Sequence, residues 1–193
     1  MSEQAMRLES AGILTLHASA VRIDGQALVF LGPSGTGKST ICRLLSDLSE
    51  PLVDDSTYVL YREGRGWLVG EARAPAYEEA FLTGRTAGLD GVPLRAVFRL
   101  RQAAATRLEP LPAWQTCAYL VEALGWHRFR PAGMNRAIFA RLAAIARSVP
   151  GYRLHFDLSG QIVHVLRETL QLEAESWSSE EDRPWRIRRN PSM

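Results

Sequence analysis

Gly32-Pro33-Ser34-Gly35-Thr36-Gly37-Lys38-Ser39 matches the pattern G-x-x-x-x-G-K-[ST] in full, and it stands between two apolar stretches. The run Gln26 to Leu31 before it reads as a strand, and Ser39 to Leu48 after it has the leucine spacing of a short helix. A strand entering such a loop and a helix leaving it is the setting in which the pattern has a mechanism. Glycines let main-chain N–H groups approach phosphates closely. The helix N-terminus adds partial positive charge. Lys38 brings a full charge to the β and γ phosphates, and the Ser39 hydroxyl suits Mg2+. Gly32 to Thr40 is therefore read as a Walker A loop for ATP and Mg2+.

Upstream, Asp24-Gly25 separates Ile13 to Ile23 from Gln26 to Leu31, a strong signal for a two-residue hairpin turn. That turn fixes the register: Ile23 opposite Gln26, Val21 opposite Leu28, Ala18 opposite Leu31, and His17 opposite Gly32. The register brings His17 to the mouth of the loop, as a phosphate contact or a proton-handling group. The alternative is a hydrogen-bonded histidine at a strand end.

Downstream, Pro51-Leu52-Val53-Asp54-Asp55 reads as a short buried strand ending in two carboxylates. Ligands of open α/β sheets gather at the carboxyl ends of strands. Neighbouring strand residues point to opposite sides. One aspartate can then hold Mg2+, directly or through water, while the other accepts a proton from an attacking hydroxyl. The alternative is a turn or helix cap. Glu78 and Glu79 are weaker candidates for a further metal ligand, because glutamate pairs on loops are usually solvated.

Thr57 to Arg62 and Trp67 to Glu71 form a second expected hairpin, turning at Glu63-Gly64-Arg65-Gly66. Residues 74–92, with Gly84, Gly88 and Gly91, read as a loop with a helical turn near Glu78. Leu94 to Leu100 and Thr106 to Leu111 read as strands. A helix is expected from Pro112, its first helical position, to Gly125, with Cys117, Leu120, Val121 and Leu124 as its buried stripe. A second is expected from Asn135 to Ser148, then a strand over Tyr152 to Leu158 and a helix capped by Ser159 and ending at Leu170. The pattern predicts one domain over 1–170. Residues 171–193, rich in Ser, Glu and Arg, are expected to form a weakly ordered tail whose Trp177 and Trp185 dock on the body of the domain.

At 46% hydrophobic residues the chain can bury a core, and its 193 residues fit one domain. A net charge of +2 argues against nucleic acid or an anionic membrane as partner. Cys42 and Cys117 give neither a disulfide framework nor a zinc spacing, so both read as apolar residues in a reducing compartment. No signal peptide and no membrane-spanning run is visible, and a cytoplasmic location is expected.

The motif-bearing stretches resemble the catalytic domain of the HPr kinase/phosphorylase family and its phosphoenolpyruvate carboxykinase relatives. They are Leu16-His17-Ala18-Ser19-Ala20-Val21, the Asp24-Gly25 turn, Gly32 to Thr40, and Leu52-Val53-Asp54-Asp55. The rest, including Pro93-Leu94-Arg95-Ala96-Val97-Phe98, is similar to short members of that superfamily, which has relatives among lasso-peptide tailoring kinases. The resemblance implies a single α/β P-loop domain with a mixed sheet. It implies His17, Lys38 and Asp55 as catalytic residues, with Asp55 deprotonating a substrate serine. It implies Ser39 as an Mg2+ ligand, with the family's later glutamate falling near Glu79. The C-terminal signature that engages the family's protein substrate and supports dephosphorylation is not found, which argues against HPr as substrate and against phosphorylase activity.

The expected reaction moves the γ-phosphoryl of ATP to a hydroxyl, a serine on a small protein or peptide. Two rivals are a small-molecule kinase and a nucleotide-binding module without catalysis. A homo-oligomer is left open, and Arg85, Arg99, Arg101 and Arg107 cannot be ranked as a phosphate clamp.

Overall fold

Both residues of the Asp24-Gly25 turn have positive φ, 50° and 69°, and this sets the strands on either side face to face. The computed structural model describes residues 11–72, 74–83, 85–86, 88–124 and 132–171. Strand β2 (Ala18–Ile23) pairs with β3 (Gln26–Leu31) in the expected register, Ile23 with Gln26, Val21 with Leu28 and Ala18 with Leu31. Both faces of this hairpin are covered, so its sequence runs apolar without strict alternation.

The expected run from Ile13 to Ile23 is divided. β1 (Leu14–Leu16) pairs with β5 (Thr57–Arg62), whereas β2 pairs with β3 and with β4 (Glu50–Val53). His17 stands at the division, and its N–H donates to the carbonyl of Ala123 at 2.8 Å. That carbonyl closes helix α3 (Ala113–Ala123) and has no acceptor role within the helix.

β6 (Gly66–Glu71) completes the second hairpin with β5. β7 (Val92–Gln102) is longer than expected because it serves three neighbours. Its start pairs antiparallel with β6, its middle parallel with β3, and its end parallel with β9 (Gly151–Phe156). β8 (Arg107–Leu111) adds to β9 antiparallel. The nine described strands form one mixed sheet.

Helices α1 (Lys38–Leu44) and α5 (Ile162–Leu170) cover one face, packing Ile41, Leu166 and Leu170 against Phe30, Phe98 and Phe156. Helices α3 and α4 (Ala132–Ser148) cover the other, packing Leu120, Leu142 and Ile145 against Val29, Leu31 and Val97.

Where a loop was expected, Pro75–Thr83 forms helix α2, burying Tyr77 and Ala80 against Tyr58, Leu60 and Leu68. Pro112 is the N-cap of α3 rather than its first residue. α4 starts before Asn135, and β9 ends at Phe156 rather than Leu158. α5 starts after Gln161, and Ser159 Oγ accepts the Gln161 N–H at 3.4 Å just ahead of it. Gly125 and the tail with Trp177 and Trp185 lie outside the described residues.

Candidate active site

The parallel strands β3, β7 and β9 end on the same edge of the sheet, and the Gly32–Ser39 loop lies on that edge. Gln102, last in β7, donates from Nε2 to the Gly35 carbonyl at 3.4 Å. Gly37, with φ 98°, lies so close to Phe156 at the end of β9 that a Cβ there would stand 2.7 Å from Cζ. Thr36 closes the turn, donating from Oγ1 to the Pro33 carbonyl at 2.7 Å. Gly37 caps α1 without a side-chain hydrogen bond.

Lys38 is buried and folds back over the loop. Its Nζ donates to the Gly32 carbonyl at 2.9 Å, to the Pro33 carbonyl at 3.3 Å and to His17 Nε2 at 3.0 Å. Lysine has only donors, so Nε2 of His17 accepts and its Nδ1 carries the proton. Nδ1 in turn lies 3.1 Å from Asp55 Oδ1. The result is a chain Lys38–His17–Asp55 leading from the loop to a carboxylate that is half exposed. Burial pushes the Lys38 ammonium below the ordinary lysine range. Asp55 and Asp54 pull it back up, and Arg99 adds to the push down.

The two aspartates are held differently. Asp54 Oδ1 accepts from Ser39 Oγ and from Ser19 Oγ, both at 3.1 Å. Ser19 Oγ also accepts the Asp55 N–H at 3.3 Å. Asp55 takes a left-handed backbone, φ 74°, which turns its side chain away from that of Asp54 and toward His17. Ser39 Oγ and Asp54 Oδ1 thus form a pair of hard oxygen donors, one neutral and one anionic, beside the lysine. That chemistry fits a magnesium ion.

Residues 4–171 match the family described as SynChlorMet cassette protein ScmC. The chain belongs to this ScmC family. No match is found among curated proteins. Among solved structures it is similar to the HPr(Ser) kinase/phosphatase from Coxiella burnetii, at 13% identity and a TM-score of 0.36. That likeness covers 80% of this chain and 89% of the other.

In this ScmC family chain, the structure brings His17, Lys38, Ser39, Asp54 and Asp55 together. Glu79 stands apart, on the exposed side of α2, where its carbonyl accepts from Thr83 Oγ1. Among the described residues no cluster of three or more His, Cys, Asp or Glu could hold a metal ion. Arg99 pairs in register with Leu31, the residue entering the loop, and its charge acts on Lys38. It is held by Glu122 at 3.0 Å and lies over the Tyr119 ring at 4.7 Å. Arg101 lies farther along β7, Arg107 on β8 bonds Glu109, and Arg85 is exposed.

Sequence reasoning passed over Ser19. It is fully buried and joins the backbone of one aspartate to the side chain of the other. The available signal was a hydroxyl in the apolar strand Ala18–Ile23, two residues beyond His17.

Proposed function

We propose that this protein binds ATP with Mg2+ on the Gly32–Thr40 loop and transfers the γ-phosphoryl group to a hydroxyl. A serine of a small protein or peptide is the acceptor we favour. The observation that carries this reading is the relay Lys38–His17–Asp55 beside the separate pair Ser39–Asp54. One arm ends in a solvent-facing carboxylate free to take a proton, and the other offers oxygens to a cation.

In the proposed reaction Asp55 takes the proton of the acceptor hydroxyl. The acceptor oxygen bonds to the γ phosphorus as the bond to the β–γ bridging oxygen breaks, and ADP leaves. Lys38 holds charge on the β and γ oxygens. His17, donating from Nδ1 to Asp55 and accepting from Lys38, fixes both groups in place. Ser39 and Asp54 would hold Mg2+, which supplies neutralisation of phosphate charge when bound. Arg99, whose charge acts on Lys38, is the arginine we favour to complete a phosphate clamp.

The test is Asp55→Asn, assayed with labelled ATP against serine peptides and small alcohols, alongside calorimetry with Mg2+ and ATP. Transfer should be lost while nucleotide affinity stays within a few-fold. Retained transfer would remove Asp55 as the base. Nucleotide binding without turnover in the unaltered protein would instead favour a regulatory module.

A further inference from the structure

A cavity of about 620 Å³ lies at the far end of β5 from Asp55, between the β5–β6 hairpin and α4. Leu60, Tyr61 and Arg62 line it, so three strand residues, Thr57 to Val59, about 10 Å at ~3.3 Å per residue, lie between it and the Asp55 end of β5. Tyr61 and Trp67 face each other across the hairpin, edge to face, with centroids 5.2 Å apart. Trp67 Nε1 donates to Ser148 Oγ at 3.0 Å, which fixes the indole against the last turn of α4. Tyr61, which lines the cavity, is 57% exposed.

Among the described residues the charged groups of the lining have one sign. Arg62, Arg141 and Arg147 line the space, and no aspartate or glutamate among the described residues does. Arg62 donates to the carbonyls of Thr86 and Leu89 rather than to a carboxylate. No ion pair among the described residues engages Arg147, which is exposed at the end of α4.

We propose that this cavity binds an acidic peptide segment carrying an aromatic side chain, at a site separate from the phosphate loop. The ring packs on Tyr61 and Trp67, where an aromatic edge-to-face contact is favourable. A flanking carboxylate meets the exposed guanidinium of Arg147, which suits it in shape as well as charge. The volume falls within the range of small-ligand sites and exceeds what one ring fills, leaving room for main chain on either side.

The test is fluorescence polarisation with a fluorescein-labelled peptide, Glu-Glu-Tyr-Glu-Glu, on the full chain. It should bind, and Arg147→Glu and Tyr61→Ser should each weaken it at least tenfold with unchanged thermal midpoints. Both side chains are exposed, so neither change threatens folding. Glu-Glu-Ser-Glu-Glu should bind at least tenfold more weakly, and Lys-Lys-Tyr-Lys-Lys not at all. Undiminished binding in both variants, or equal binding of the acidic and basic peptides, overturns the proposal. Displacement of the peptide by free 4-hydroxyphenylacetate at equal concentration overturns the peptide as occupant.

Discussion

His17 does its proposed work through two ring nitrogens in opposite roles. Because Lys38 can only donate, the imidazole must accept on Nε2 and give its one proton to Asp55. An alanine at this position leaves Asp55 without its donor and Lys38 with only the carbonyls of Gly32 and Pro33. Under the proposed reaction, His17→Ala should slow transfer on the order of 10²-fold, the size of a general acid–base contribution. Adding it to Asp55→Asn should cost nothing further, since both changes break one relay. Single-turnover rates of the two single variants and the double variant measure this. Additive losses would show that the two side chains act independently. The relay's members were visible as residue types in the sequence, because the turn at Asp24-Gly25 set the register that leads to His17. Ser19 was not visible. A serine in an apolar strand has many ways to satisfy its hydroxyl, and only the fold brings β4 beside β2 so that Asp54 and Asp55 meet it.

Helix α5 follows the last parallel strand and places Ile162, Leu166 and Leu170 against Phe98, Leu154 and Phe156. Phe156 is the residue under Gly37, so α5 supports the loop through one aromatic ring. Leu166 is fully buried there, and truncating such a leucine costs about 2–5 kcal/mol. Leu166→Ala should therefore lower the unfolding free energy from urea titration by that amount, moving the midpoint down while the slope stays the same. A loss under about 1 kcal/mol would mean that α5 does not pack as described. Elements set by local chemistry were legible before the fold: both hairpins, the strand–loop–helix unit, and the amphipathic helices α3 and α4. Helix α2 was not, because Gly84, Gly88 and Gly91 pull the reading toward a loop. It gains its helix by burying Tyr77 and Ala80 on a hairpin close in sequence but unreadable as its partner. The division at His17 was equally hidden, since residues 13–23 read as one mostly apolar run with no Gly or Pro to break it, while two different partners pair with the two halves.

At the scale of the molecule, two helical layers cover both sides of the sheet, and this sets how the fold meets alkaline pH. Cys42 on α1 packs against the core shared with α5. Burial, with a further push from Asp54, raises its thiol to about 12 from an ordinary value of 9.0. Burial likewise raises the Tyr58 hydroxyl, with Asp90 adding to the push. An unfolded chain releases these protons at lower pH than the folded one. In that window the unfolded state binds fewer protons, so stability falls as pH rises. For Cys42 the contribution is fully present below pH 9 and is lost from there toward about 12. Lys38 works in the other direction, because its depressed value lets the folded state release a proton first, and stability then rises up to the ordinary value of 10.5. The thiol shift is the one strong enough to set the slope. The unaltered protein should lose stability steadily above pH 9. Cys42→Ala should flatten that loss while differing little in slope below pH 8, as followed by urea midpoints from pH 7 to 11. An equal alkaline slope in the two proteins would mean that water reaches the thiol, and that α1 does not seal the edge on which the Gly32–Ser39 loop rests.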